Sequence, residues 1–404
     1  MVNRWAVKHL NYAIPTTKKL IFDYIAARDT VSKAELLQAF AVTSSSLTRL
    51  LEEMIVEGII EASGFGSSTG GRKPILYRIH ATFRFMIGFE ISRISSSVAL
   101  YDLQMNRLSY TRWKMDAQMT PTVLLERAAD QIEEMLHQHG IHPRLVIGIG
   151  IGAVGPLDQT NGMILTPLHF PAEGWQHVPI CEWMTRRLGI PAQLDNGANT
   201  ALIGEHYALR AEQMKHMLYV HAGVGLRSAM MSDGQIVRGA FDLEGSFGQM
   251  IIQTDGPRLQ EDSNYGALEA YASIQALEKQ VRTQVKMGRD TLLRIYEPEA
   301  IHFDLLTHAL AGGDRLVKEH FIQAATYLGI GVANLINVLH PEQVILGGPL
   351  IHADPVIYDT IMHVAKKNIY YSPAYQPNFS PGELGEDAVA AGAAVMVRRD
   401  WDCE

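Results

Sequence analysis

Cysteine is nearly absent: the 404 residues hold two, Cys181 and Cys403, far apart in the chain. So sparse a set argues for two reduced thiols rather than a disulfide framework. Long apolar runs are missing too. No stretch of about 18 uncharged apolar residues occurs, so no membrane span is expected. The opening residues MVNRWAVKHLNYA lack the apolar core of a signal peptide, and a cytoplasmic location is the expectation. The sixteen histidines show neither H-x-x-x-H nor H-x-x-E-H spacing, so they offer no zinc motif of that kind. With 47% hydrophobic and 19% charged residues the chain is not compositionally disordered, and its length calls for two or three domains.

What is present is unevenly charged. The net charge is −8, yet residues 1–80 hold ten Lys/Arg against seven Asp/Glu, while the remainder holds 25 against 36. A mildly basic head on an acidic body fits a small DNA-reading module attached to a larger sensor.

The head reads as three short helices. Leu20, Ile21, Tyr24 and Ile25 recur at helical spacing, which predicts a first helix over about 16–28. Ser32 followed by Glu35 is a capping box that starts a second. On the third, Leu47, Leu50, Leu51, Met54 and Ile55 form an apolar stripe, and Gly58 closes it. Ser44, Ser45, Ser46, Thr48 and Arg49 stand at its N-terminal end or on its polar face, where they can donate to phosphates and base edges. Two strands follow, Ile59–Ala62 and Ile75–Ile79, joined by a glycine-rich loop that ends in Arg72 and Lys73. The pattern is an N-terminal winged helix-turn-helix, with an ordinary three-helix bundle as the alternative.

The body begins with strands predicted at Phe85–Glu90, Ser97–Asp102 and Leu108–Lys114. A helix opening at Thr120-Pro121 and a buried strand, Leu145–Ile151, follow. A second set of strands falls near Met217–His221, Ser228–Met231, Ile236–Val237 and Val344–Leu346. This β-β-β-α-β order, met twice, resembles the two-lobed α/β ribonuclease-H-like body of the actin and hexokinase superfamily. The expected division is 1–80 for the head, 81–195 for the first lobe and 196–404 for the second, with a C-terminal helix free to return to the first lobe.

Five motifs in order carry a narrower resemblance. They are Gly148–Asp158 (GIGIGAVGPLD), Leu194–Glu205 (LDNGANTALIGE), Gly223–Gly239, Leu243–Ser273 and Gly329–Gly348. Together with Gly70-Gly71-Arg72 and Pro74 in the head they resemble the ROK family, which groups bacterial repressors and sugar kinases. The resemblance implies a sugar site between the lobes and a winged helix of the repressor type.

The same alignment of motifs implies lost chemistry. The catalytic base of the kinases, an Asp after the Asn of an E-N-D frame, falls on Gly197 in Asp195-Asn196-Gly197. Glycine cannot take a proton from a sugar hydroxyl, a contribution typically of about 10²–10⁴ in rate. The two glycine-rich phosphate loops read Glu90-Ile91-Ser92-Arg93-Ile94 and Gly223-Val224-Gly225-Leu226-Arg227, each with an arginine where glycine is expected. The family's zinc ligands, a histidine and three cysteines, fall on Gln249, Gln260, Asp262 and Ala267. The expectation is therefore no catalytic residues, no metal and no cofactor. Gly155, Asn196, Ser246, Gln249 and Glu269 are the candidate effector contacts, unless they satisfy one another in a closed cleft.

The reading that follows is a DNA-binding regulator. It would repress carbohydrate-use genes, bind a double-stranded operator, sense a small carbohydrate and assemble as a homodimer or homotetramer. Control by a protein partner, and a sugar kinase with an added head, are the alternatives.

Overall fold

The computed structural model describes residues 15–66, 73–210, 213–242, 245–261, 263–370 and 373–403. The head holds α1 (Thr17–Ala26), β1 (Val31–Ser32), α2 (Lys33–Ala39), α3 (Ser44–Val56), β2 (Ile60–Phe65) and β3 (Ile75–Ile79). Each helix starts on a hydroxyl cap. The Thr16 side chain accepts from the Lys19 N–H, Ser32 and Glu35 form the reciprocal box, and Thr43 accepts from the Ser46 N–H. Ile21, Phe22, Ile25, Leu36, Leu47, Leu51 and Met54 close the core. The apolar stripe of α3 is narrower than its spacing predicts, because Ile55 is 40% exposed. The first helix ends at Ala26, two residues short of the sequence expectation. The sheet order β1-β3-β2 includes a strand absent from the sequence reading; two residues are too few to show an alternating pattern.

The body follows as β4 (Phe85–Ile91), β5 (Ser95–Asp102), β6 (Arg107–Lys114), α4 (Pro121–Gln138) and β7 (Val146–Ala153). Next come a small hairpin of β8 (Leu157–Asp158) and β9 (Met163–Ile164), then α5 (Ile180–Leu188) and β10 (Ala192–Asn196). The first sheet has order β10-β7-β4-β5-β6, with β4, β5 and β6 antiparallel and β7 and β10 parallel to β4. After α6 (Gly197–Ala208) the plan repeats. β11 (Met217–Ala222), β12 (Leu226–Ser232) and β13 (Gln235–Ile236) are antiparallel. Four helices intervene: α7 (Glu269–Ala272), α8 (Ile274–Lys286), α9 (Phe303–Ala311) and α10 (Arg315–Leu339). β14 (Gln343–Gly347), α11 (Pro355–Lys367) and β15 (Asn378–Ser380) complete a second sheet of order β13-β12-β11-β14-β15. By length and composition α10 is apolar enough to cross a membrane, a property that core helices share. It lies in the core of the second lobe, with Phe321, Leu328, Val332 and Ile336 fully buried.

The last helix, α12 (Ala388–Asp400), leaves the second lobe and packs against β4 and β7 of the first, and against α6. Its small residues let backbones touch. A Cβ on Gly392 would stand 1.6 Å from the Thr200 carbonyl oxygen in α6, and one on Gly150 in β7 would stand 1.9 Å from the Ala393 carbonyl oxygen. Alternation along β4 sorts its side chains: Phe85, Ile87, Phe89 and Ile91 join the core with α4, while Met86 faces α12.

Head and body share that second core. Ile21, Phe22, Leu47 and Met54 belong to one cluster with Met86, Ala99, Tyr101, Ala391, Ala394 and Val397. Phe22 meets Trp401 edge-on at 5.4 Å between centroids. The Lys19 ammonium donates to the Arg398 carbonyl at 3.3 Å, and Arg210 donates to the Ala27 carbonyl and pairs with Asp29.

Candidate functional site

The two lobes enclose a cavity of about 650 Å³ at the N-terminal end of α6. All five candidate effector contacts line it. Each is already engaged. Asn196 caps α6, accepting from the Ala198 N–H at 3.0 Å, and its amide donates to Asp242 at 3.3 Å. Glu269 accepts from the Leu226 N–H and from the Gln249 amide, both at 2.9 Å. Ser246 accepts from Arg227 at 2.7 Å. A Cβ on Gly155 would lie 2.2 Å from an Asp242 carboxylate oxygen, so the loop can approach that group only as glycine. The residues therefore converge, partly satisfy one another and still border open space.

The two replaced phosphate loops face the same cavity. Arg93 donates to the Leu168 carbonyl at 2.6 Å, and Arg227 reaches Ser246 and the Asp242 carbonyl. Burial pushes the Arg93 guanidinium down to about 10. Glu269 opposes that shift and the charge of Arg227 adds to it. His221 is pushed down to about 4 by burial first, then by Arg93 and His352, so its imidazole is neutral at pH 7. Gly197 is the first residue of α6. A Cβ there would meet nothing closer than 3.6 Å, so packing does not force the loss of a side chain at the position of the base.

Two ionic clusters escaped the sequence reading. Asp195 is 1% exposed and accepts two bonds from Arg238, at 2.6 and 3.1 Å, with others from Gln159 and Asn199. It ties the second lobe to the end of β10. Replacing Arg238 with methionine leaves that carboxylate buried beside its amide donors. The expected loss is about 2 kcal/mol at pH 7, below the usual figure for a broken buried pair because Arg238 is itself 41% exposed. A lower denaturant midpoint for the variant at pH 7 checks the assignment, and a midpoint equal to that of the parent protein removes the pair from the fold's stability. Glu90, at the cleft end of β4, is 7% exposed. Burial pushes its carboxyl up to about 7 against the charge of Arg112 and a 3.0 Å bond from Ser97, with Glu386 and Asp387 adding to the rise. Neither cluster has a sequence signature, because the partners are non-local.

The family's zinc positions hold a hydrogen-bonded loop. The Gln249 side chain accepts from the Asn264 N–H at 3.2 Å, and Gln260 meets His169 at 2.6 Å. Ala267 is buried, and Asp262 lies outside the described residues. Among the described residues no group of three His, Cys, Asp or Glu could hold a metal ion.

On the head, Ser44, Ser45, Ser46 and Arg49 are exposed, as is Lys73 at the end of the hairpin loop. Arg72 lies outside the described residues. Thr48 is less free than its place on a polar face predicts. Its hydroxyl donates to the Ser44 carbonyl at 2.8 Å and accepts from Lys33 at 2.5 Å. Ser45 and Ser46 both bond to the capping Thr43 hydroxyl. Lys33, unnoticed in the sequence, thus joins this face; its place at the start of α2 was the available signal.

The model of the "ROK family" matches residues 86–400. The chain belongs to the ROK family. The ROK match spans the whole body and starts just after the head. A xylose repressor of Caldicellulosiruptor bescii is 25% identical over 405 residues, covering 99% of this chain and 98% of that protein. A glucokinase of Halalkalibacterium halodurans is 27% identical over 278 residues, covering 67% and 82%. Among solved structures, a ROK family transcriptional regulator described as a homolog of the Escherichia coli MLC protein superposes with a TM-score of 0.75. It is 21% identical and covers 96% of both chains. The ROK body is thus the two-lobed, sugar-kinase-like fold.

Proposed function

We propose that this ROK protein is a transcriptional repressor of carbohydrate-use genes. Its head would act as a winged helix-turn-helix that reads an operator, and its cleft would bind a carbohydrate without phosphorylating it. The carrying observation is the shared core of head and α12, which connects the DNA-facing unit to the helix packed on α6 beside the cleft. The full-length match to a repressor, against a glucokinase match over 67% of the chain, supports the same reading. Gly197 at the base position and Arg93 and Arg227 in the phosphate loops speak against ATP-dependent transfer.

In this reading α3 enters the major groove with Ser44, Ser45, Ser46 and Arg49 toward the duplex, and Arg72 and Lys73 reach the flanking backbone. One head covers a half-site, so a homodimer or homotetramer is the assembly proposed. A carbohydrate that prefers one cleft conformation shifts the population of head arrangements, and only that difference in affinity drives release. Control by a protein partner is the second reading. The hydrogen bond of Gln249 across Glu269, which narrows the cleft from inside, favours it.

Gel shifts on a selected operator test the head. Arg49→Ala is expected to weaken binding about tenfold and to lower the slope of log affinity against log salt by about 1. Unchanged affinity and slope would remove α3 from the DNA interface.

A further inference from the structure

We propose that the ligand of this cleft is an anionic carbohydrate, a sugar bearing a phosphate or carboxylate group that Arg93 and Arg227 receive. The proposal rests on the effector-binding reading above and names the chemistry that the cleft selects.

Four permanent cations line the cavity: Arg93, Arg112, Lys114 and Arg227. Two of them have carboxylate partners: Arg112 pairs with Glu386 and Lys114 with Asp304. Arg93 and Arg227 differ. Among the described residues neither has a carboxylate within ion-pair distance, and the groups they bond are neutral: the Leu168 carbonyl, the Ser246 hydroxyl and the Asp242 carbonyl. The carboxylate that borders them in the cavity, Glu269, already accepts from the Leu226 N–H and the Gln249 amide. The Asp242 carboxylate lies on the same side of the Gly155 backbone as Arg227, without forming an ion pair with it, and accepts from the Leu157 N–H and from Asn196.

A guanidinium has five N–H donors in a planar fork. Arg93 engages its Nε with Leu168, which leaves the two terminal nitrogens of the fork for a ligand. Two such partly buried forks, one from each lobe, favour a group with two or three anionic oxygens, because bidentate charge-assisted bonds are the strongest that a guanidinium makes.

The position of the forks decides which part of a ligand carries the anion. A Cβ on Gly155 would be 3.0 Å from both an Arg227 terminal nitrogen and the Asn196 amide nitrogen. A Cβ on Gly225 would be 2.7 Å from a Glu269 oxygen and 3.7 Å from an Arg93 terminal nitrogen. The guanidiniums thus stand among the groups suited to sugar hydroxyls, not beyond them. The anion belongs to the sugar-sized ligand itself.

Calorimetric titration of the full-length protein with glucose, glucose 6-phosphate, glucuronate, xylose and xylonate tests this. At least one phosphorylated or carboxylated probe is expected to bind about tenfold or more tighter than its neutral parent, with an affinity that falls as salt rises. Which arm responds separates phosphate from carboxylate. In Arg93→Gln and Arg227→Gln the preference is expected to collapse while the thermal midpoint stays near that of the parent. Should a variant fail to fold, the salt dependence of the unaltered protein still decides. Neutral sugars that bind as tightly as their charged counterparts overturn the proposal, as does an anion preference that survives both substitutions. If neutral sugars bind and release operator, the sensor reading stands and this inference alone falls. If no carbohydrate binds while operator binding is intact, both fall.

Discussion

Gly392→Ala is expected to lower stability by at least about 3 kcal/mol and to abolish operator binding together with it. The added methyl would start 1.6 Å from the Thr200 carbonyl oxygen and 2.7 Å from the Gly204 amide nitrogen, both backbone atoms of α6. No rotamer relieves such a contact; α6 and α12 must separate. On its other side α12 is held as tightly, since Gly88 and Gly150 place the sheet backbone against Ala390 and Ala393. Separation therefore opens either the cleft side or the head side of the helix. Chemical denaturation measures the stability loss and gel shift measures the functional one. A midpoint equal to that of the parent protein would show that the two helices do not cross this closely.

Glu90→Gln is expected to act in the opposite direction at neutral and alkaline pH. The carboxyl of Glu90 is raised by burial from an ordinary 4.5 to about 7, so the folded state holds its proton more tightly than the unfolded state does. The favourable contribution is complete below about 4.5, declines as pH rises, and is gone above about 7. Across that window the parent protein should lose about 3 kcal/mol on this account, at about 1.4 kcal/mol per pH unit. Glutamine keeps the shape and the capacity to bond Ser97 but carries no charge. The variant should be more stable than the parent at pH 8, nearly equal to it at pH 4.5, and flatter between. Parallel stability curves for the two proteins would refute the assignment.

Much of the architecture was legible because its determinants are local. Ser32 and Glu35 are three residues apart, and their capping box starts α2 where the spacing places it. Thr120-Pro121 opens α4 in the same way. The main strands of both lobes were found as apolar segments and their β-β-β-α-β plan through a resemblance, while β8, β9, β10 and β15 went unread. What stayed hidden is what the folded chain brings together from afar. Arg238 and Asp195 are 43 positions apart, and Glu269 meets the Leu226 N–H across a similar distance. Nothing in either local pattern announces a partner. The candidate site shows the same division. Gly197, Arg93 and Arg227 stood out because each breaks a motif. Asp242, which breaks none, organises the Gly155 loop and Asn196 unnoticed. Thr48 was misjudged for the converse reason: its place on a polar helix face says nothing of the Lys33 ammonium beside it.

The way the head is seated bears on how such regulators could be recombined. Trp401 lies against Phe22 and Phe83, and Cys403 is buried in the same cluster, so the segment after α12 completes the packing of the described head. A cut at residue 80 would not yield a transplantable reading unit. A hybrid that takes its head from one relative and its body from another should fold only if α12 and the segment through Cys403 travel with the head. Such proteins would then exchange operator specificity only when the head and α12 are exchanged together.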